Sequence, residues 1–251
     1  MADAGPAPTQ DALLGGRVRL LQRARGHRAG TDAVLLAASF DPRPGDIVVD
    51  LGAGTGAVGL MVAALAPEAR VVFVERDDEL AALCRLNVVA NGCADRALIV
   101  RANVLAGPVV EHARVDCVLT NPPFFEAMEA PRSPEPTRAE AHVMPRGGLA
   151  VWIGAAIRML RPRGRLGLIQ RADKLAACLD ALAGKAGSIE FRAIHPRAEA
   201  EATRVIVTAV KGGRAPLRVL APLVLHGPDG RFTPQAEAIH RGERVISGER
   251  P

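Results

Sequence analysis

The stretch that most limits the fold of this 251-residue chain is Asp46-Ile47-Val48-Val49-Asp50-Leu51, followed at once by Gly52-Ala53-Gly54-Thr55-Gly56-Ala57. The first segment is a short apolar run, the pattern of a strand buried on both faces. The second holds glycines at alternate positions, which permit a tight turn and let a ligand approach the backbone closely. From about Val58 to Leu65 the chain is apolar again and reads as a helix. Strand, glycine-rich turn and helix make the first βα unit of a nucleotide-binding α/β domain.

The rest of the chain extends that unit. Val71 to Val74 reads as a second strand ending in Glu75, where an acid can take both hydroxyls of a ribose. Glu79 to Asn91 reads as a helix with Asn91-Gly92 as its stop. Leu98 to Arg101 is a third strand ending near Asn103, and the run from Val115 to Thr120 is a fourth. Upstream, Gly30-Thr31-Asp32 precedes an apolar helix, with Thr31 or Asp32 as its N-cap. Downstream, Leu149 to Leu160 reads as an amphipathic helix carrying the only tryptophan, Trp152. A fifth strand over Leu166 to Gln170 and a helix over Ala172 to Leu182 follow. Ile189 to Ile194 and Thr203 to Val210 supply two more strands, Val219 to Leu225 is a further apolar run, and the stretch from Phe232 is short and peripheral. These elements predict an α/β fold with a doubly wound, mostly parallel seven-stranded sheet. The expected organisation is a flexible tail over 1–16, one domain over 17–240 and a C-terminal tail over 241–251.

Composition sets limits on partners. An apolar fraction of 49% supports a substantial core. No run approaches the roughly 18 apolar residues of a membrane span, and Met1 to Gln10 has no basic segment of a signal peptide, so a cytoplasmic protein without membrane contact is expected. Cys84, Cys93, Cys117 and Cys178 have no paired spacing, which argues for reduced thiols and against a metal site. The net charge of +5 permits a polyanionic partner without demonstrating one. Almost all of that charge is arginine, which a compositional bias of the genome explains as well as function does. Two basic stretches stand out: Arg17, Arg19, Arg23, Arg25, His27 and Arg28, and the proline-rich segment from Glu126 to Arg146 with Arg132, Arg138 and His142. A connection of about 20 residues without periodicity is often functional.

The fourth strand stops abruptly at Asn121-Pro122-Pro123-Phe124. Consecutive prolines lack N–H groups and cannot continue a central strand, yet their carbonyls remain acceptors. The Asn121 side chain adds an acceptor and Phe124 a flat face. Two acceptors beside a stacking surface suit a planar –NH2 group; the same residues also suit a plain turn. The glycine turn has two readings of its own. It fits the loose dinucleotide form G-x-G-x-x-A, and Glu75 serves either reading. Two features favour S-adenosylmethionine. Asp50, just before the first glycine, can meet the amino-acid end of that cofactor, whereas beside a pyrophosphate it is repulsive. Asn-Pro-Pro lies at the strand end where α/β sheets place chemistry, and a dehydrogenase has no need of it.

Asp50 to Gly56 together with Asn121 to Phe124 resembles the class I S-adenosylmethionine-dependent methyltransferases that act on exocyclic or amide nitrogens. Gly30-Thr31-Asp32-Ala33-Val34-Leu35-Leu36 is similar to the bacterial tRNA1(Val) adenine-N6-methyltransferase family, as are Pro196 with Arg204-Val205-Ile206-Val207 and Pro222-Leu223-Val224-Leu225-His226. The resemblance runs from about residue 17 to 240. It implies a Rossmann-like enzyme that methylates adenine N6 in tRNA, with a release-factor glutamine amide or a guanine amine in ribosomal RNA as alternative acceptors. It implies that Asn121 and the Pro122 carbonyl each accept one N–H while Pro123 and Phe124 complete the acceptor site and Phe124 stacks on the base. The implied cofactor set is Thr31, Asp32, Asp50, Gly52, Ala53, Gly54, Gly56, Glu75, Arg76, Asn103, Val104 and Asn121, with no metal. Two residues depart from the family pattern. Phe124 stands for the usual tyrosine, and Asn103 stands where many relatives carry an aspartate for the cofactor's adenine amine. The oligomeric state is left open.

Overall fold

The computed structural model describes residues 7–25, 28–107, 109, 114–123, 125–126, 143–145, 147–243 and 246. The chain opens with an antiparallel hairpin of β1 (Thr9–Leu13) and β2 (Val18–Gln22). The expectation of a flexible tail through residue 16 therefore fails at Thr9. Leu14, Val18 and Leu20 are buried, and that apolar side holds the hairpin on the domain.

The central sheet alternates with helices along the chain. α1 (Thr31–Ala38) precedes β3 (Ile47–Leu51), α2 (Ala57–Leu65) and β4 (Arg70–Glu75). α3 (Asp78–Ala90), β5 (Ala97–Arg101) and β6 (Val115–Thr120) follow. A two-residue pair, β7 (Phe125–Glu126) and β8 (Val143–Met144), joins the ends of the proline-rich segment. Most of that segment, with Phe124, Arg132, Arg138, His142 and Arg146, lies outside the described residues. Then come α4 (Gly148–Met159), β9 (Leu160–Arg171) and α5 (Leu175–Leu182). The last elements are β10 (Ala186–His195), β11 (Arg204–Lys211), β12 (Arg218–Val219), β13 (Leu223–Val224) and α6 (Pro234–His240).

The long strands lie in the order β10-β11-β9-β6-β3-β4-β5. From β9 to β5 all neighbours are parallel, and β11 is antiparallel to both β9 and β10. β12 and β13, cut from the Val219 to Leu225 run, both pair with β10 and raise the sheet to nine strands. The expected seven are all present.

Side-chain alternation divides the core in two. Val48, Cys117, Leu119 and Phe73 face α1, α2 and α3. Val49, Leu51, Val118 and Leu168 face α4 and α5. Successive strand residues point to opposite faces, so apolar runs buried on both sides feed both layers. α2 is buried from Ala57 to Ala63 because it is apolar all round. Its Gly59 lets it sit on β4: a Cβ there would stand 2.3 Å from the Phe73 ring.

α3 holds the hairpin by side-chain amides. Asn87 Oδ1 accepts the Leu21 N–H at 2.7 Å, and its Nδ2 donates to Leu21 O and to Thr55 O, each at 2.9 Å. One turn later Asn91 Oδ1 accepts the Arg19 N–H at 2.9 Å, and its Nδ2 donates to Arg19 O at 2.7 Å. Residues four apart on a helix share a face, so the two amides pair with alternate residues of β2 as a neighbouring strand would. The segment from Phe232 is likewise not peripheral. Phe232 stacks between His226 and His240, with centroids at 4.9 and 4.3 Å, and α6 buries Ala236 and Ile239 in the core.

Candidate active site

β3 and β4 end side by side at the carboxyl edge of the sheet, and the glycine turn rises between them. Gly52 and Ala53 both donate to Val74 O at 2.9 Å. Gly52, Gly54 and Gly56 have φ of +77°, +56° and +90°, which L side chains rarely adopt. Their surroundings differ. A Cβ at Gly52 would stand 2.8 Å from the Trp152 ring, and one at Gly56 would stand 2.8 Å from Cys84 Sγ. At Gly54 nothing lies within 4 Å of that position. Two glycines thus serve packing, and the Cβ position at Gly54 faces open space.

Glu75 ties the turn to the end of β4. Its Oε2 accepts the Gly54 N–H at 2.7 Å, and its Oε1 accepts those of Arg76 and Asp77 at 2.7 and 2.8 Å. A carboxylate oxygen offers about two acceptor positions, so Oε2 has one left over among the described residues. Asp77 caps α3 by accepting the Leu80 N–H at 2.9 Å, and Arg23 of the hairpin pairs with it at 2.8 Å. Burial raises the Asp77 carboxyl, but these donors outweigh it and hold it below its ordinary value.

Asp50 is placed otherwise than the sequence led us to expect. Strand alternation turns it towards α2, where its buried carboxylate accepts the Gly59 N–H at 2.8 Å. Burial raises its pKa to about 7; the Gly59 N–H opposes that and the nearby Glu75 charge adds to it. Asp50 therefore clamps α2 to β3 inside the protein. Thr31 and Asp32 are not caps either: the N-cap of α1 is Gly30, without a side-chain bond. Asp32 Oδ2 accepts from Arg204 Nε at 3.0 Å, and Thr31 Oγ1 lies 3.4 Å from His240 Nε2. The block joins α1 to β11 and α6. Exposed Asn103 accepts the Leu105 N–H at 3.0 Å and closes its own turn, while Val104 is buried.

The acceptor motif follows β6. Asn121 Oδ1 is buried and has no hydrogen-bond partner among the described residues. A buried polar atom without a partner is uncommon and marks a place for one. Pro122 is buried, and Pro123 O accepts from Gln170 Nε2 at 3.4 Å. Gln170, buried at the end of β9, also accepts the Arg171 N–H at 2.9 Å. Sequence reasoning missed Gln170, whose only signal was a polar residue closing an apolar strand. It missed Thr120 and Trp152 as well: Trp152 Nε1 donates to Thr120 Oγ1 at 2.9 Å, and that hydroxyl donates to Leu51 O at 2.7 Å. Two arginines of the basic stretch over 17–28 are already engaged. Arg28 pairs with Asp11, and Arg23 pairs with Asp77 and Glu79. Arg25 remains exposed. Among the described residues no cluster of three or more His, Cys, Asp or Glu could hold a metal ion, and no helix is long and apolar enough to cross a membrane.

A sheet in this order, with a glycine turn on its first parallel strand and an acid closing the second, is the fold of class I methyltransferases. A solved Agrobacterium tumefaciens protein, Atu636, described as a predicted O-methyltransferase, shares it with a TM-score of 0.71 and 30% identity, covering 87% of this chain and all of that one. TYW2 of M. jannaschii, solved in complex with AdoMet, matches the fold at a TM-score of 0.57 and 13% identity over 84% of this chain and 88% of that one. The chain belongs to the methyltransferase small domain family, whose model matches residues 28–189, and within it to the family of proteins named tRNA1(Val) (adenine(37)-N6)-methyltransferase. A protein of that name from Shewanella amazonensis is 33% identical over 193 residues, 75% of this chain and 79% of the relative. Another, from Porphyromonas gingivalis, is 34% identical over 156 residues, 59% of this chain; the match spans 60% of the relative's length.

Proposed function

We propose that this protein transfers a methyl group from S-adenosylmethionine to an exocyclic amine, adenine N6 in a tRNA. The buried Oδ1 of Asn121 carries the reading, because it stands at the end of β6 as an acceptor with nothing among the described residues to accept from. The names of the relatives support adenine as the base and tRNA as its carrier.

The residues present fit the cofactor. Gly54 leaves open space at the turn, and Glu75 Oε2 keeps an acceptor position beside it. When bound, S-adenosylmethionine supplies a methyl on a sulfonium, which needs only an in-line nucleophile. The exocyclic nitrogen of adenine is a poor one, since its lone pair is delocalised into the ring. Asn121 Oδ1 accepts one N–H and the Pro122 carbonyl the other, which draws the nitrogen towards tetrahedral geometry and frees its lone pair. This is positioning with electrostatic help and no strong base. Gln170 steadies the motif through Pro123 O.

The test is incubation of purified protein with radiolabelled S-adenosylmethionine and either total RNA or total protein, then nucleoside analysis of the labelled fraction. Label in tRNA as N6-methyladenosine is the expected result. Label on a glutamine in the protein fraction overturns the choice of acceptor while keeping the cofactor.

A further inference from the structure

We propose that Thr120 and Trp152 form a positioning relay that sets the acceptor motif against the cofactor turn; the inference rests on the methyl-transfer reading above. Leu51 and Thr120 are partners in the last rung of the parallel ladder between β3 and β6. Beyond that rung the strands part. One continues into Gly52 and the turn, the other into Asn121. Backbone pairing no longer sets the distance between them, so side chains must.

The hydrogen bonds have one direction. The indole N–H of Trp152 can only donate, and it donates to Thr120 Oγ1 at 2.9 Å. The Thr120 hydroxyl has one proton, and it goes to Leu51 O at 2.7 Å. All three groups are buried, so water does not substitute for any of them. The indole ring also fills the space beside Gly52, where a Cβ would stand 2.8 and 3.0 Å from two ring carbons. α4 thus presses on the first residue of the cofactor turn and, through Thr120, holds the residue before Asn121. Neither side chain touches the reacting atoms; both act through their neighbours.

Misplacement of a reacting group by about 1 Å can cost roughly 100-fold in rate. Thr120→Val keeps the volume and removes both hydrogen bonds. It is expected to lower kcat about tenfold or more per folded molecule, with the affinity for S-adenosylhomocysteine changed less than about threefold. Thr120→Ser restores kcat to within about twofold. Trp152→Phe, which keeps a ring and loses the N–H, falls as Thr120→Val does, and the double variant falls no further than the worse single one. Parental kcat in folded Thr120→Val, or a Thr120→Ser variant as slow as Thr120→Val, overturns the relay. Should label enter protein instead of RNA, the same ratios are read on that acceptor, and only the choice of substrate fails. A second readout needs no acceptor. Trp152 is the sole tryptophan, so S-adenosylhomocysteine binding measured by calorimetry should change its emission in the parent protein. Binding without any change in emission also overturns the relay.

Discussion

Four acidic side chains, two at each edge of the sheet, are held in opposite ways. At the amino edge, Asp46 Oδ2 accepts from Arg43 N at 2.9 Å and from Arg165 Nη2 at 3.2 Å, and Arg165 also lies over the Phe40 ring at 4.7 Å. Beside it Asp116 accepts the Ile47 N–H at 2.8 Å and pairs with Arg161. At the carboxyl edge, Asp50 and Glu75 take only backbone N–H donors among the described residues, Gly54 fronts open space, and Asn121 Oδ1 has no partner. One edge has spent its polar capacity on itself. At the other the backbone organises Asp50 and Glu75, although Asp77 just beyond β4 pairs with Arg23, and acceptor positions are left over. In parallel α/β sheets ligands bind at the carboxyl end, and here the hydrogen-bond inventory shows that division residue by residue.

Breaking the carboxyl edge should give the largest effects. Asn121→Ala is expected to lower kcat by about 100-fold or more while leaving cofactor affinity nearly unchanged, since Asn121 is assigned to the acceptor. Steady-state kinetics with parallel calorimetry separate the two, and an equal loss in both contradicts the assignment.

The glycines sharpen the comparison between open and filled space. Gly59→Ala forces a Cβ against Phe73 and should cost about 1–3 kcal/mol or more in urea unfolding. At Gly54 the Cβ of a Val substitution meets nothing within 4 Å, so the main folding cost is that of the left-handed backbone, yet cofactor affinity should fall about tenfold or more. If Gly54→Val binds S-adenosylhomocysteine normally, the cofactor does not approach Gly54.

The pH dependence should carry opposite signs at Asp50 and Asp116. The folded-state pKa of Asp50 is raised to about 7 from an ordinary 3.8, so the folded protein holds a proton that the unfolded chain releases. Its stabilising effect is complete below about pH 4 and is lost as pH rises through 7, a change on the order of a few kcal/mol. Asp116 behaves oppositely. Burial raises its carboxyl, but the Ile47 N–H and Arg161 outweigh that and lower it, so its contribution is present above the ordinary carboxylate range and lost on acidification. Urea unfolding from pH 3 to 8 should show Asp50→Asn flattening the upper part of the profile and Asp116→Asn the lower. Profiles unchanged by either variant would sink this account.

The smallest effect belongs to the amino edge. Arg165→Met should cost about 1 kcal/mol through its partly buried pair with Asp46 and leave kcat and cofactor affinity at parental values. A loss of activity per folded molecule would show that the edges are coupled.

The legible parts of this protein were local. The apolar run Ile47 to Leu51 and the glycines after it declare a buried strand and a turn wherever they occur, and Asn121-Pro122-Pro123 must end a strand because proline cannot extend one. The first strand of the hairpin, from Thr9, was missed because it is short and the amides that hold the hairpin, Asn87 and Asn91, lie on α3, far along the chain. The same distance hid Phe232, whose partners are His226 and His240. For Asp50 and Asp32 the position was found and the partner was not.

By itself the sequence determined which segments become strands, where they stop, and which residue types gather at the strand ends, because hydrophobic alternation, glycine's backbone freedom and proline's missing N–H act within a few residues. Only the tertiary structure decided which acceptors are already satisfied. Gly59 claims Asp50, Arg204 claims Asp32, and Trp152 reaches Leu51 through Thr120, while Asn121 Oδ1 is left without a partner among the described residues. A hydrogen bond depends on two groups meeting at about 3 Å, and no one-dimensional pattern states which distant groups will meet.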